Sequence, residues 1–183
     1  YHGSNGGISA KSSESWKIED YSYFKPLIDG PRSLKNSFKE PIITKKAVNN
    51  FLNLEKDHFY GKNHSLFRWN KKISSFMIVD RLIKHKLITN THNLLDINVL
   101  ERGASGRVTK LEIKISSVKK PILLVKDDIR LILGFLPSNL FTINKLNDNL
   151  WLFRGGGFGH GVGLSQSGAI EMAELGFSYQ QIL

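Results

Sequence analysis

The sequence has 183 residues, of which 40% are hydrophobic, and carries 26 lysines and arginines against 16 aspartates and glutamates. This length and apolar content fit one folded domain and exclude a chain that is disordered throughout. The absence of cysteine excludes a disulfide scaffold, a cysteine nucleophile and a thiolate metal site, and the longest aliphatic run, residues 122–125, is too short to span a membrane.

The net charge of +10 comes mainly from the first half of the chain, where residues 1–90 carry 16 basic and 8 acidic side chains. A basic surface attracts anionic partners over long distances. The lysines are spread out, however, and the sequence lacks zinc-finger spacing and the aromatic-plus-basic strand motif of nucleic-acid-binding domains. Composition alone leaves three interpretations open: a nucleic-acid partner, a solvated basic face, or affinity for a polyanionic polymer such as cell wall.

The N-terminal part of the chain is rich in turn signals. Residues 1–13 contain glycine and serine in a pattern typical of loops, and Gly6-Gly7 predicts a tight turn. Asp29-Gly30-Pro31 and Glu40-Pro41 predict two further breaks in regular structure.

Two helices and a strand are predicted next. Helical spacing of apolar residues within 44–59 predicts a helix with Thr44 as its N-cap, and alternation over 66–73 predicts a strand. Ser74 or Ser75 would cap the following helix. The apolar face of that helix is predicted to contain Phe76, Val79, Leu82, Ile83 and Leu87.

The second half of the chain predicts β-hairpins. Residues 94–99 and 108–115 alternate with a period of two around the turn Gly103-Ala104-Ser105-Gly106, whose glycines permit positive φ. Residues 141–143 and 150–152 predict a second hairpin around 147–149.

Between these hairpins lie a short strand and a short helix. Residues 122–125 predict the strand. Asp127 would cap a helix that runs through Leu133, ends at Gly134 and is stopped by Pro137.

The most informative segment follows the second hairpin, where six of the 16 glycines fall within residues 155–163. It lies between a predicted strand and a predicted helix that would end before Gly176. Such a turn exposes backbone N–H groups at the positive end of a helix dipole, which suits an anion, a carboxylate or a sugar hydroxyl. The alternative is a structural role, in which the glycines only let the strand pack closely on the helix.

Familiar nucleotide and nucleophile loops do not fit this segment. The dinucleotide fingerprint fails in every register, and the only Gly-Lys pair in the chain is followed by Asn63 rather than by Ser or Thr. A nucleophile elbow fails because Ser165 is followed by Gln166 and Ser167. His160 has no second histidine at metal-ligand spacing. We therefore expect no cofactor, no metal and no nucleic-acid partner.

A family resemblance rests on three separate segments. Residues 153–169 read FRGGGFGHGVGLSQSGA and residues 172–183 read MAELGFSYQQIL; together they resemble the C-terminal signature of the stage II sporulation protein D family (SpoIID/LytB, amidase enhancers). The opening YHGSNGGIS, with Trp16 after it, is similar to the family's Y-H-S-x-x-G-G-x-T segment. Residues 95–99 (LDINV) and 105–108 (SGRV) resemble its central hairpin.

The resemblance implies action on bacterial peptidoglycan outside the cytoplasm. Sporulation members are lytic transglycosylases, in which one carboxylic acid protonates the glycosidic oxygen and the muramic C6 hydroxyl displaces the bond. Other members are described as modifiers that enhance a separate amidase. The resemblance thus implies peptidoglycan glycan strands as the partner and, in the second case, a cell-wall amidase as well.

The sequence departs from the family's pattern in two ways. The family's catalytic glutamate lies upstream of the segment that matches Tyr1, so we expect this chain to be truncated at both ends and assign no catalytic residue. No glutamate of the chain has a matching context: Glu14, Glu19, Glu40, Glu55, Glu101, Glu112, Glu171 and Glu174. Zinc-binding members carry a cysteine near Asn5, and asparagine is a poor zinc ligand.

We expect an α+β domain over residues 1–183, with helices around one twisted, mainly antiparallel sheet built from residues 66–73, 94–116 and 140–154. Residues 40–150 would be an inserted supporting subdomain, and the loops 1–16 and 155–168 would lie side by side along a groove. His2 either bonds to backbone or contacts substrate. The candidate substrate-binding residues are His2, Ser4, Gly6, Gly7, Gly159, His160, Gly161, Ser165 and Gln166.

Overall fold

A computed structural model describes residues 1–38, 40–90, 92–116 and 118–183. The fold is α+β, as predicted. The helices are α1 (Ser12–Ser15), α2 (Arg32–Ser37), α3 (Lys45–Leu52), α4 (Ser75–Lys84), α5 (Asp128–Leu133), α6 (Gln166–Glu174) and α7 (Tyr179–Ile182). The strands are β1 (Trp69–Ser74), β2 (Leu94–Arg102), β3 (Val108–Ile115), β4 (Ile122–Val125), β5 (Phe141–Asn147) and β6 (Leu150–Gly155). No helix within these ranges is both long and apolar enough to cross a membrane.

The strands form two antiparallel sheets rather than the single sheet that was predicted. One sheet has the order β1-β6-β5 and the other the order β2-β3-β4. The prediction of one sheet was wrong because alternation along a strand shows which face is buried, whereas nothing local shows which strand lies at its edge. Both hairpins were predicted correctly.

A large hydrophobic core joins the two sheets to α4 and α5. Its fully buried members include Leu111 and Ile113 on β3 and Phe153 on β6. A second cluster packs α3 against the loops on either side of it, with Phe51, Phe59 and others at its centre. The second cluster lies beneath the N-terminal loop, because it also contains Ile8 and Ile28.

The predicted N-caps of α3 and α4 are confirmed, whereas the predicted end of α3 is wrong. Thr44 Oγ1 accepts the Ala47 N–H at 3.1 Å, and Ser74 Oγ accepts the Met77 N–H at 3.2 Å. The helix at Thr44 ends at Leu52, short of the predicted residue 59.

The predicted apolar face of α4 was partly wrong. Phe76 is 72% exposed and Leu87 is also exposed, whereas Ile78 is buried beside Val79 and Leu82. The buried face of α4 is therefore formed by Ile78, Val79 and Leu82. Phe76 lies on the other side of the helix and points into solvent.

Candidate functional site

The two glycine-rich segments lie side by side, as predicted. Ser4 pairs with Phe158, Ala10 pairs with Val162, and His2 pairs with Ser165 in isolated β-bridges. We call the region where residues 1–16 and 155–168 meet, together with the β2–β3 turn (103–107), the glycine junction.

Glycine is required in the glycine junction because two backbones approach each other too closely for a side chain. A Cβ added at Gly6 would lie 2.6 Å from the Gly156 carbonyl carbon, and one added at Gly157 would lie 2.7 Å from the Ser4 oxygen. Gly6 and Gly157 also adopt φ of +66° and +86°, which L-residues rarely adopt. The glycines therefore hold the two segments in direct backbone contact.

Several N–H groups that were expected to face a ligand are bonded inside the protein. At the start of α6, the Gln166 N–H donates to the His2 carbonyl at 2.9 Å. The Ser167 N–H donates to the Gly3 carbonyl at 3.1 Å. Donors that already have a carbonyl partner are not available to a ligand. At this helix terminus the bonds therefore agree with the structural role that the sequence left open as the alternative.

Arg107 fastens the hairpin turn to the N-terminal segment. Its guanidinium is buried and donates from Nη1 to the Ile8 carbonyl and from Nη2 to the Asn5 carbonyl, both at 3.0 Å. A Cβ at Gly161 would overlap this guanidinium, so the Gly161 backbone packs directly against the Arg107 side chain. Burial lowers the pKa of Arg107 to about 10, which leaves the side chain charged at neutral pH.

Glu14 is a second buried ionisable side chain at the glycine junction. The Glu14 carboxylate accepts a short hydrogen bond from Ser105 Oγ and also faces the Ser105 N–H. Neither Arg107 nor Ser105 was predicted as a functional residue. The one sequence signal that points to them is the SGRV segment, which places an arginine and a serine beside a glycine turn at the start of a buried strand.

His2, His160 and Trp16 form an aromatic cluster. The ring centroids of His2 and His160 are 5.4 Å apart, and those of Trp16 and His160 are 4.8 Å apart. His2 Nδ1 bonds to the Val162 carbonyl at 3.2 Å, while its buried Nε2 has no partner among the described residues. Burial, followed by the charge of Arg107, lowers the pKa of His2 to about 3. Burial also lowers the pKa of His160.

The predicted site residues differ in how far they face solvent. Six of the nine are buried: His2, Ser4, Gly6, Gly7, Gly161 and Ser165. Gly159 and His160 are half-buried, and Gln166 is exposed. Ser165 Oγ caps α6 by accepting the Gly168 N–H at 3.3 Å. Contact with substrate stays a prediction for the set, and the exposed members are the ones a ligand can reach without rearrangement.

A cleft of about 440 Å³ opens on the Ser165 side of the glycine junction. Asn5, Asp29 and Tyr60 line it together with Ser165, and the rings of Tyr23 and Phe24 form one wall. Only Ser165 among these was a predicted site residue, because residues 5, 23–29, 60 and 165 are brought together solely by the tertiary fold. We refer to this space as the cleft.

Asn5 and Asp29 are paired within the cleft. Asn5 Nδ2 donates to Asp29 Oδ2 at 2.9 Å, and Asn5 Oδ1 accepts the Gly7 N–H at 2.8 Å. Burial raises the pKa of Asp29 to about 6, opposed by the hydrogen bond from Asn5 and the charge of Lys35. Asn5 thus has a structural role, because its side chain joins Asp29 to the Gly7 backbone.

Within the part of the chain that the structure describes, no three His, Asp or Glu side chains gather as a metal-ligand group. No curated protein matches the sequence. A family model described as a domain of unknown function (DUF8618) matches residues 10–163, which is 154 of the 183 residues. These residues include α1–α5, all six strands and most of the glycine-rich segment. The chain therefore belongs to this family.

Proposed function

We propose that this chain is a peptidoglycan-active domain of the lytic transglycosylase type that works outside the cytoplasm. The observation that supports the proposal is the convergence of three segments that are far apart in the sequence. The opening YHGSNGGIS, the SGRV turn and the glycine-histidine segment each resemble the same family, and they meet through Arg107 and the bridges of the glycine junction.

The surface of the glycine junction offers groups that suit a sugar polymer. Trp16 is 36% exposed and packs against the half-buried His160 with the two rings tilted by 50°, and the exposed Tyr1 contacts His160 through its backbone. Aromatic faces pack against the C–H groups of sugar rings, while imidazole and amide groups bond to hydroxyls. The charge of +10 favours approach to an anionic wall polymer.

The reaction implied by the resemblance needs a single acid/base residue. The acid protonates the bridging glycosidic oxygen, the bond from that oxygen to C1 breaks, and the C6 hydroxyl oxygen bonds to C1. The proton of that hydroxyl returns to the carboxylate. In the resembled family the acid is a glutamate upstream of the segment that matches Tyr1, and no glutamate of this chain is assigned that role.

A second candidate function is a wall-binding module that enhances a separate amidase. The burial of Glu14 is compatible with it, because it leaves this chain without an accessible acid at that position of the glycine junction. This glutamate lies at the glycine junction but is only 4% exposed, and Ser105 holds its carboxylate inside the protein. A carboxylate in that position cannot reach a glycosidic oxygen.

Co-sedimentation with insoluble peptidoglycan sacculi tests the proposed function. We expect the chain to sediment with sacculi and not with cellulose. Trp16→Ala and His160→Ala should each reduce the bound fraction at least threefold with little change in melting temperature. Phe76→Ala is the control, because Phe76 is an exposed aromatic residue on α4, outside the glycine junction. Failure of the chain to bind sacculi would overturn the proposal.

Product analysis separates the two candidate functions. The full-length gene product is incubated with sacculi, alone and with a peptidoglycan amidase. Release of products that end in an anhydro sugar supports the transglycosylase. Faster amidase cleavage without anhydro products supports the enhancer.

A further inference from the structure

The sheet β1-β6-β5 has one face in the core and one face that is largely open. Trp69, Trp151 and Phe153 lie on the core face and are buried. Side chains directly opposite each other on antiparallel strands share a face of the sheet. The strand register therefore places two rows on the other side, which we call the open face: Lys72, Leu152 and Asn144 in one row, and Asn70, Arg154 and Thr142 in the next.

Helix α3 covers one end of the open face and adds a cation to it. Thr142 Oγ1 donates to Asn49 Oδ1 at 3.0 Å, and Thr142 is buried. Lys45 Nζ donates to Asn144 Oδ1 at 2.9 Å, which holds the ammonium group above β5. Each strand of the sheet therefore has one cation on this side: Lys72 on β1, Arg154 on β6 and Lys45 above β5.

The positive charge of the open face is not neutralised within the protein. The elements β1, β5, β6 and α3 together contain six lysines and arginines and no aspartate or glutamate. Lys45 and Lys72 are exposed and Arg154 is half-buried, and none of the three has an ion-pair partner among the described residues. Asp148 in the β5–β6 turn is paired with Lys145 at 3.0 Å, on the opposite side of the sheet. The open face therefore attracts anions.

The arrangement of these cations fits an extended chain better than a single small anion. Neighbouring strands lie about 4.8 Å apart, so the cations on β1 and above β5 are separated by about 10 Å across the sheet. A polymer that crosses the strands can bring successive anionic groups to Lys72, Arg154 and Lys45 in turn. The amides of Asn70 and Asn144 lie among these cations and can bond to hydroxyl groups of such a chain.

Two other occupants fit the open face less well. Single-stranded nucleic acid binds by stacking its bases on exposed aromatic rings, whereas the aromatic residues of these three strands are all buried: Trp69, Phe141, Trp151 and Phe153. A second copy of this chain would bring two basic faces together, which like-charge repulsion opposes.

We propose that the open face binds a polyanionic chain of polyol units joined by phosphodiesters. Lys72, Arg154 and Lys45 contact its phosphates, and Asn70 and Asn144 bond to its hydroxyls. The preference for an envelope polymer over a nucleic acid rests on the proposed function, under which the chain works outside the cytoplasm. The contact itself uses residues outside the glycine junction and adds a second kind of partner to the glycan strands.

Titration with synthetic poly(glycerol phosphate) at several salt concentrations tests the proposal. Lys45→Gln combined with Lys72→Gln should weaken binding at least tenfold at low salt. The slope of log K against log salt should become shallower by about 1.4, because each phosphate contact on a single-stranded chain contributes about 0.7. Both substitutions are at exposed positions, so the melting temperature should not change.

Lys119→Gln combined with Lys120→Gln is the matched control. It removes the same two charges from a chain of net charge +10, but at exposed lysines that lie between β3 and β4 in the other sheet. We expect it to weaken binding less than twofold. Equal weakening by the two pairs of substitutions would show that only the net charge attracts the polymer, and the open-face proposal would be wrong.

Two further measurements complete the test. Duplex DNA that binds more tightly than poly(glycerol phosphate), with the same dependence on Lys45 and Lys72, would assign the open face to nucleic acid and overturn the proposal. If the chain binds sacculi freed of phosphate polymers but does not bind poly(glycerol phosphate), the open-face proposal fails and the proposed function stands. If it binds poly(glycerol phosphate) through Lys45 and Lys72 but does not bind sacculi, the polymer contact is confirmed and the proposed function fails.

Discussion

The sheet core and the glycine junction are stabilised in opposite ways. In the core, residues such as Leu111, Ile113 and Phe153 are fully buried and stabilise the fold by removing apolar surface from water. In the glycine junction, Arg107 and Glu14 are just as buried, but they are held by hydrogen bonds to backbone or hydroxyl groups.

This difference implies different tolerance to substitution. An apolar core accepts changes of shape if volume is kept, because dispersion contacts are many and individually weak. A junction made of backbone contacts and directed hydrogen bonds has no such freedom, because one added atom or one lost donor leaves groups overlapping or unsatisfied. Four predictions test this contrast, from the largest expected effect to the smallest.

The largest effect is expected for Gly6→Ala. The added Cβ would lie 2.6 Å from the Gly156 backbone at a φ of +66°, so steric overlap adds to the cost of a left-handed conformation. Chemical denaturation should show a loss of at least about 3 kcal/mol. Gly176→Ala is the control, because its φ is +85° and nothing lies within 4 Å of the added atom. That control should lose only about 1 kcal/mol. Equal losses would show that close backbone approach contributes nothing.

Arg107→Met should cost about 3 kcal/mol in the free energy of unfolding. The methionine fills much of the space but leaves the Asn5 and Ile8 carbonyls without their donors. Lys84→Met, which removes the exposed ion pair with Asp80, should change stability by less than about 0.5 kcal/mol. If the Arg107→Met protein is as stable as the parent, the hydrogen bonds from Arg107 to the N-terminal segment do not stabilise the glycine junction.

His2 should make the fold sensitive to acid. Its pKa is lowered from 6.5 to about 3, so the unfolded chain binds its proton first and stability is lost as the pH falls from about 6.5 towards 3. The slope is about 1.4 kcal/mol per pH unit for one such group. Asp29 has the opposite sign, because its raised pKa stabilises the fold as the pH falls through 6 towards 3.8.

Denaturation of the parent and His2→Gln at pH 6.5 and pH 4.5 isolates this effect, because Asp29 contributes equally to both proteins. The variant should lose about 2 kcal/mol less than the parent over this interval. His85→Gln, at an exposed histidine, should lose as much as the parent. The same pH dependence in all three proteins would show that His2 is not the sensitive group.

The smallest effect is expected in the core. Leu111→Met keeps the volume of a fully buried side chain and should cost less than about 1.5 kcal/mol. Leu111→Ala should cost about 3 kcal/mol through the cavity it leaves. A Leu111→Met loss larger than that of Gly6→Ala would reverse the contrast between the two regions.

Helix caps and turns, which depend on residues adjacent in the sequence, could be predicted from the sequence alone. The cap at Thr44 and the end of α5 at Gly134 lie where they were predicted, and of the two serines predicted as alternatives Ser74 is the cap of α4. The reason is that each rests on a hydrogen bond or a φ angle within a few residues. Asp127 precedes α5 as predicted, but its side chain makes no capping hydrogen bond. The packing of the two glycine-rich segments was also predictable, because clustered glycines indicate close backbone approach.

The tertiary structure alone decided the separation into two sheets, the buried pair of Glu14 and Ser105, and the cleft in which Asn5 meets Asp29 beside Ser165. These contacts join residues that are far apart in the sequence, and no local pattern specifies which distant partner a polar side chain will find. A buried polar group must be paired to offset its loss of water, but the path of the whole chain determines the partner.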